Sequence, residues 1–200
     1  MIERIDAFDK EIFLWLNGWH HSALDSLMWW VSSTSLWIPL YLILIFVLLK
    51  SRNQNWPKQN LSQWLILLGS IGLAILLADQ ISSGFFKPFF ARLRPSHTPE
   101  LMSQIHLLHQ PNGEIYRGGL YGFVSSHAAN SFAIAVFVSS ILKSKMVWIW
   151  MIFWASMVSY SRIYLGVHYP GDILGGAVIG VLSGYVSAQV YLYLEKRWVN

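Results

Sequence analysis

The sequence predicts an all-α fold, a polytopic transmembrane helix bundle of about five to six helices with an N-terminal amphipathic helix. Of its 200 residues, 54% are apolar and only 12% are charged, a balance too apolar for an ordinary soluble surface. Several apolar stretches are long enough to cross a bilayer. Because this length suits one domain, we expect residues 1–200 to form a single membrane domain.

The first 21 residues predict a helix that lies flat at the membrane interface. Apolar residues recur there at intervals of three and four, with charged residues between them, from Ile2 to Leu16. This amphipathic pattern is typical of interfacial helices. Insertion of the same segment would add a span, and the sequence leaves that alternative open.

Five later stretches are predicted to span the membrane. They cover residues 23–49, with a break near the serines at 32–35, and residues 61–86, 126–142, 146–165 and 171–194. In the last stretch, Gly176, Gly180 and Gly184 recur every four residues, which lets a second helix approach closely. Residues 87–124 form a long polar loop between the second and third spans.

The basic residues predict the orientation of the spans. They concentrate in the 50–60 loop, at Lys143 and Lys145, and at Lys196 and Arg197. The positive-inside tendency assigns these segments to the cytoplasm. With five spans, the 87–124 loop and the 166–171 turn then share the opposite side, so we expect an active site there.

Composition also restricts the partners. The net charge is +4, but the basic residues are scattered among apolar segments and match no nucleic-acid-binding motif. An anionic lipid or phosphate is therefore the expected partner, and nucleic acid is not. The absence of cysteine excludes a disulfide framework, a thiolate nucleophile and a thiolate metal site.

The first charged cluster is Lys87 and Arg94. These residues are seven apart, nearly two helical turns, so a helix bracketed by Pro88 and Pro95 would place both cations on one side. Such a pair can bind phosphate oxygens. A basic patch that anchors lipid headgroups explains the same residues, and both interpretations stay open.

The second cluster precedes the third span. Ser125 or Ser126 can cap that helix, whose first free N–H groups form an anion site. His127 then lies in the first turn and faces the same anion. A lone histidine in this position also suits a purely structural role.

The third cluster is the stretch from Ser161 to Asp172. Pro170 favours a helix start, with Asp172 in its first turn and His168 in the preceding loop. Asp172 can then hold one ring nitrogen of His168 and leave the other free for attack. Arg162 can bind phosphate oxygens in a bidentate manner.

For other polar residues the sequence supports only weaker predictions. Asp79 lies inside the second span and can tether Arg162 or another cation of the site, or make a structural hydrogen bond. Arg92 and Arg117 can bind a headgroup, but we expect them to face solvent, and we assign no role to His97, His106 or His109.

These three clusters resemble the signature of the type 2 phosphatidic acid phosphatase superfamily, which includes membrane lipid phosphatases. The family pattern is Lys, six residues, Arg-Pro; then Pro-Ser-Gly-His; then Ser-Arg, five residues, His, three residues, Asp. Lys87, Arg94 and Pro95 match the first motif, and the 161–172 stretch matches the third. The middle motif departs, with Val124 for proline and Ser126 for glycine. The resemblance covers residues 87–180.

The resemblance implies a mechanism. His168 attacks phosphorus to form a phosphohistidine, Asp172 orients it, and His127 protonates the leaving oxygen and then activates water. The phosphate oxygens are held by a set of cations and N–H groups, from Lys87, Arg94, Arg162, Ser125 and Ser126. No metal and no other cofactor is expected.

We therefore expect a bacterial inner-membrane enzyme that hydrolyses a lipid phosphate or diphosphate, with its site facing the periplasm or the cell exterior. Undecaprenyl diphosphate, phosphatidate and phosphatidylglycerol phosphate are the candidates that the resemblance implies. Two alternatives stay open: a lipid phosphotransferase that uses the same intermediate, and a non-catalytic lipid or anion carrier. The oligomeric state is not predicted.

Overall fold

The protein is described by a computed structural model that covers residues 2–52, 61–110 and 112–198. These residues form α1 (Ile2–Asn17), α2 (Ser22–Ser32), α3 (Ile38–Arg52), α4 (Leu61–Asp79), α5 (Lys87–Phe90), α6 (Ser126–Leu142), α7 (Lys145–Tyr164) and α8 (Pro170–Trp198). No β-sheet occurs among them, only two isolated bridges in the loop between α5 and α6. The all-α prediction is confirmed.

Three continuous helical segments of the described chain are long and apolar enough to cross a membrane: Thr34–Ser51, Leu61–Phe90 and Pro170–Trp198. The middle segment comprises α4, a π-helical turn over Gln80–Phe86, and α5. α6 is apolar but shorter, with 17 residues, and α7 has 20 residues, about 30 Å of helix. Most of the predicted 50–60 loop lies outside the described residues.

The break predicted in the first span is present, but its consequence differs from the prediction. Ser33 has an extended conformation and separates α2 from a 3₁₀ turn over Thr34–Trp37, which leads into α3. The spanning segment therefore begins at Thr34, and α2 is a separate short helix. Its C-terminal end brings Ser32 to the site described below.

α6 and α8 pack closely because the glycine stripe of α8 faces the backbone of α6. A Cβ atom added at Gly176, Gly180 or Gly184 would collide with the carbonyl oxygens of Ser125, Ala129 and Ala133, respectively. The predicted role of these glycines in close helix approach is confirmed. This contact fixes the N-terminal ends of α6 and α8 beside each other.

α1 is amphipathic, as predicted, and its polar side holds it to the protein. The buried Asn17 amide donates to the carbonyl oxygens of Ile163 and Tyr164 at 3.1 and 3.0 Å. Asp9 accepts a hydrogen bond from the Gly171 N–H at 2.7 Å. Large apolar side chains on the other side, among them Phe8, remain exposed. α1 is thus docked on the turn between α7 and α8.

The helix expected between Pro88 and Pro95 is not formed. α5 ends at Phe90, and Ala91 adopts a left-handed conformation with φ of 46° that reverses the chain. Arg94 lies beyond this reversal in extended backbone, where its N–H donates to Leu120 O at 3.1 Å. Helical periodicity therefore does not relate Lys87 to Arg94, because Lys87 belongs to α5 and Arg94 to the loop that follows it.

Candidate active site

His168 and Asp172 form a buried pair at the start of α8. Gly166, with φ of 71°, allows the tight turn after α7, and α8 begins at Pro170. Asp172 Oδ2 lies 3.2 Å from His168 Nδ1 and accepts the Tyr169 N–H at 3.1 Å. Both side chains are almost fully buried. This arrangement leaves Nε2 of His168 as the nitrogen that Asp172 does not contact.

Arg92 holds the other oxygen of the same carboxylate. Its Nη1 donates to Asp172 Oδ1 at 3.0 Å, and its guanidinium lies over the Tyr169 ring, 4.1 Å from the centroid. The prediction that Arg92 faces solvent is therefore wrong. No local spacing indicates this contact, because the two residues are 80 positions apart in the sequence.

Two carboxylates of α1 also bind the Arg92 guanidinium. Asp9 Oδ2 and Asp6 Oδ1 each lie 2.8 Å from a guanidinium nitrogen of Arg92. Burial by itself opposes a charged guanidinium, but the carboxylates of Asp172 and Asp9 outweigh that effect and raise the pKa of Arg92. Arg92 therefore stays cationic, and α1 belongs to the structure that holds Asp172.

The three predicted phosphate-binding cations lie close enough to His168 for their charges to act on it. Burial first, and then the positive charges of Arg94, Arg162 and Lys87, lower the pKa of His168 well below its usual range. His168 is therefore neutral at physiological pH, the state in which an imidazole nitrogen can act as a nucleophile.

Arg94 is held by the loop that packs over the site. Its Nε donates to Tyr121 O at 3.1 Å, and its guanidinium fills the space beside Gly118, where a Cβ would collide with Nη1. Burial and then the charge of Arg162 lower the pKa of Arg94 to about 10, which keeps this side chain protonated at neutral pH. A fixed, desolvated cation of this kind interacts strongly with phosphate oxygens.

Lys87 is positioned by two serine hydroxyls. Its Nζ donates to Ser83 Oγ at 3.2 Å and to Ser126 Oγ, and the two hydroxyls are 2.7 Å apart. Ser83 also reaches Asp79 Oδ1 at 3.4 Å, so Asp79 is linked to Lys87 through Ser83 and not to Arg162. Ser126, which replaces the family's glycine, contributes a side chain as well as a backbone N–H.

The start of α6 adjoins the start of α8. Ser125 caps α6 by accepting the Ala128 N–H, as predicted, and its own N–H donates to Asp172 O at 3.0 Å. Val124, which replaces the family's proline, is buried against α8 near Gly175. His127 follows in the first turn of α6 and faces the same open space as Arg162.

Arg162 lies at the end of α7 and contacts two residues that the sequence did not indicate. Its guanidinium donates to Ser32 Oγ and, at 2.9 Å, to Tyr116 Oη. Its Nε has no partner among the described residues. Ser32 comes from α2 and Tyr116 from the long loop, so tertiary contacts alone place them here.

Two cavities meet at His127. One has a volume of about 250 Å³ and is lined mainly by polar and aromatic residues, including Arg162, Tyr116 and Trp29. The other has a volume of about 410 Å³ and an apolar lining from α3, α4, α6 and α7. A polar cavity lined by the Arg162 cation, which shares His127 with an apolar cavity, can accommodate a molecule with an anionic head and a hydrocarbon tail.

The comparisons with known proteins agree with this arrangement. A family model described as the PAP2 superfamily matches residues 63–196. A lipid A 4'-phosphatase from Porphyromonas gingivalis is 37% identical over 201 residues, which cover 100% of this chain and 79% of that protein. An undecaprenyl-diphosphatase from Sulfolobus acidocaldarius is 29% identical, covering 92% of this chain and 79% of its own length.

The fold is also similar to a solved structure. The crystal structure of Aquifex aeolicus LpxE superposes with a TM-score of 0.63 at 27% identity, covering 90% of this chain and 93% of that one.

Proposed function

The chain belongs to the PAP2 superfamily, and from this premise we propose that it hydrolyses a lipid phosphate through a phosphohistidine formed on His168. The phosphatase activity follows from its relatives, which are named as a lipid A 4'-phosphatase and an undecaprenyl-diphosphatase. The proposed phosphohistidine is supported by the buried His168–Asp172 pair, in which Nδ1 lies 3.2 Å from Oδ2. The positive charges of three cations also act on His168.

In the proposed first step, Nε2 of His168 attacks phosphorus while the bond from phosphorus to the lipid oxygen breaks. His127 donates a proton to that departing oxygen, and Asp172 stabilises the positive charge that develops on the His168 ring. In the second step, neutral His127 takes a proton from water, whose oxygen attacks the phosphohistidine. Inorganic phosphate and free His168 result.

The cations act on the transferring phosphoryl group. Lys87, Arg94 and Arg162, with the free N–H groups at the start of α6 near Ser125 and Ser126, stabilise its three non-bridging oxygens. For Arg162 to bind them, its bonds to Ser32 and Tyr116 are rearranged or shared with phosphate.

The proposed substrate is a lipid because the two cavities meet at His127. The named relatives act on different lipids, one on lipid A and one on undecaprenyl diphosphate, so their names leave both acylated and polyprenyl tails as candidates. Phosphatidate and phosphatidylglycerol phosphate are further acylated candidates.

We propose that the site opens on the extracytoplasmic side of a bacterial inner membrane, with α1 in the adjoining interface, as the basic connectors predict. A reporter fused after Asn200 tests this orientation. We expect activity from a reporter that works only in the cytoplasm and none from a reporter that works only in the periplasm. Activity as a periplasmic fusion would reverse the assignment.

The mechanism is tested with purified protein and phosphatidate labelled with ³²P. We expect a labelled protein in the wild type after quenching without acid, no label in His168→Asn, and a loss of phosphate release of at least about 10³-fold in that variant. His127→Asn is expected to lose about 10²- to 10⁴-fold.

His109→Asn is the matched control, since this exposed histidine belongs to the same loop region but not to the site. Undiminished phosphate release by His168→Asn would refute the mechanism. Appearance of the label on a second lipid, instead of as inorganic phosphate, would identify a phosphotransferase.

A further inference from the structure

Two hydroxyl groups from distant parts of the chain contact the guanidinium of Arg162. Its Nη1 donates to Ser32 Oγ, and its Nη2 donates to Tyr116 Oη at 2.9 Å. Ser32 ends α2 and precedes the residues 63–196 that match the family model, and Tyr116 lies in the loop between α5 and α6. The three motifs of the family therefore assign no role to either hydroxyl.

The hydroxyl of Ser32 has a fixed position because α2 is held near both of its ends. In the first turn of α2, Asp25 accepts a hydrogen bond from the Tyr164 hydroxyl at 2.6 Å. In the last turn, the Val31 carbonyl accepts the indole N–H of Trp37 at 2.8 Å. The Ser32 side chain is itself buried. Its oxygen is thus a fixed acceptor for the guanidinium.

The hydroxyl of Tyr116 is restrained through both its backbone and its ring. The backbone N–H donates to the Leu108 carbonyl at 2.8 Å. The ring packs edge-on against Trp29 of α2, with centroids 5.1 Å apart and an interplanar angle of 85°. The Cζ atom of Arg162 lies 5.5 Å from the centroid of the same ring. A second fixed acceptor therefore faces the guanidinium.

Two fixed acceptors define the plane of the Arg162 guanidinium without using all of its donors. A guanidinium carries five N–H groups, and these two contacts need one on each terminal nitrogen. Each terminal nitrogen keeps a second N–H, so the hydroxyls and phosphate oxygens can be bound at the same time. All three side chains line the cavity of about 250 Å³ that His127 also lines. Without the hydroxyls, the long side chain would have to be ordered by phosphate itself.

We propose that Ser32 and Tyr116 are positioning residues, which hold the Arg162 guanidinium in the orientation that stabilises the transferring phosphoryl group. The inference rests on the proposed phosphatase mechanism and adds two residues to it. Their hydroxyls act through Arg162 and keep their bonds to it while phosphate is bound. A preorganised donor favours the transition state over the bound substrate, so kcat depends on both hydroxyls more than KM does.

Removal of each hydroxyl is the first test. Ser32→Ala and Tyr116→Phe are compared with the wild type on phosphatidate and on p-nitrophenyl phosphate, which has no lipid tail. We expect each variant to lower kcat for both substrates by about 10-fold, the effect of one hydrogen bond to a charged group, and to change KM by less than about 2-fold. Ser33→Ala is the matched control and should keep the wild-type values, because Ser33 lines the same cavity but its hydroxyl contacts Ser35.

Two further measurements distinguish positioning from a loss of structure. Ser32→Thr keeps the hydroxyl, and Ser32 lines both cavities, which leave space for the added methyl group. We expect this variant to retain kcat within about 3-fold of the wild type. Orthovanadate adopts the five-coordinate geometry of a transferring phosphoryl group, so it should inhibit Ser32→Ala and Tyr116→Phe about 10-fold more weakly. Inhibition by inorganic phosphate, which resembles the ground state, should be nearly unchanged.

A double-variant experiment tests whether the hydroxyls act through Arg162. Arg162→Met removes the guanidinium, so neither hydroxyl has a cation to hold. In that background, Ser32→Ala or Tyr116→Phe should lower kcat for labelled phosphatidate by less than about 2-fold further, because residues that act as one unit are not additive. A further fall of about 10-fold would show that the hydroxyls act independently of Arg162 and would overturn the inference.

Other outcomes separate the inference from the proposed function. Unchanged kcat in both Ser32→Ala and Tyr116→Phe would overturn the positioning role while phosphatase activity stands. A rise in KM for phosphatidate alone would place the hydroxyls in headgroup binding, and a rise in kcat would show that they compete with phosphate for Arg162. Either result would also overturn it. No phosphate release by the wild type from either substrate would instead refute the proposed function.

Discussion

Arg92 and His168 contact opposite oxygens of the Asp172 carboxylate. Arg92 Nη1 lies 3.0 Å from Oδ1, and His168 Nδ1 lies 3.2 Å from Oδ2. The carboxylate is thus fixed at both ends, with an ion pair on one side and the proposed nucleophile on the other. Its orientation relative to the imidazole depends on Arg92, which itself is held by α1.

Replacing Arg92 tests this dependence. We expect Arg92→Met to lower kcat by about 10- to 100-fold, because small displacements of catalytic groups have effects of this size. KM should change little, since Arg92 binds carboxylates and not the proposed phosphate. Arg92→Lys keeps the charge but not the planar guanidinium, so its kcat should lie between those of the wild type and Arg92→Met.

Steady-state kinetics with phosphatidate measure these values, and Arg117→Met, in the same loop, is the control. A rise in KM without a change in kcat would place Arg92 in substrate binding instead.

Asp9 should act on catalysis through Arg92. Asp9→Asn keeps an oxygen for the Gly171 N–H but removes the charge that faces Arg92, so we expect a several-fold fall in kcat. In the double variant with Arg92→Met, the Asp9 substitution should add nothing further, because residues in one network are not additive. Independent, multiplicative effects of the two substitutions would contradict the proposed connection.

The acid limb of the pH profile should report on the buried His168–Asp172 pair, because the positive charge of Arg94 acts on both groups. Only neutral His168 can attack phosphorus, so activity falls as pH decreases through its pKa. Arg94 is one of the charges that hold this pKa below its usual range. Arg94→Gln should therefore raise the pKa of His168 and move the acid limb of kcat/KM to higher pH, in addition to lowering the maximum.

The substrate phosphate ionises identically in both experiments, so a difference between the pH profiles of the wild type and Arg94→Gln reports on ionisable groups of the enzyme. Superimposable acid limbs for Arg94→Gln and the wild type would show that another group controls this limb.

The contact between α6 and α8 should limit substitutions at Gly180. A leucine there would collide with Ala129 O and with Phe132, so we expect the free energy of unfolding to decrease by about 1–3 kcal/mol. Thermal unfolding in detergent, followed by circular dichroism, measures the loss. Gly72→Leu provides the comparison, because a Cβ atom at Gly72 would meet nothing within 4 Å, and this substitution should leave the transition temperature unchanged.

Local sequence spacing predicted those parts of the site that lie within one or two turns. His168 and Asp172 are four residues apart, Pro170 favours a helix start, and the pair has the expected contact. The Ser125 cap and the glycine stripe were predictable for the same reason. The spacing of Lys87 and Arg94 was misleading, because the left-handed residue Ala91 ends the helix between them.

Long-range contacts account for what could not be predicted. Ser32 is 130 positions from Arg162, and Tyr116 is 46 positions away. α1 looked like an interfacial helix because its apolar residues are periodic, but the pattern does not indicate that Asp6 and Asp9 bind Arg92. Polar residues in a short amphipathic helix suit water as well as a buried partner, and only the packed fold decides between these environments.

The π-helical turn between α4 and α5 sets the rotational position of the α5 side chains, including Lys87, about the helix axis. Successive residues of a regular helix are rotated by about 100°, so deleting one residue within Gln80–Phe86 would turn Lys87 by roughly that angle about the helix axis. The ammonium group would then leave the Ser126 hydroxyl of α6 and point toward another side of the bundle. A change of chain length by a single residue, with every catalytic side chain intact, thus suffices to remove a charge from the site.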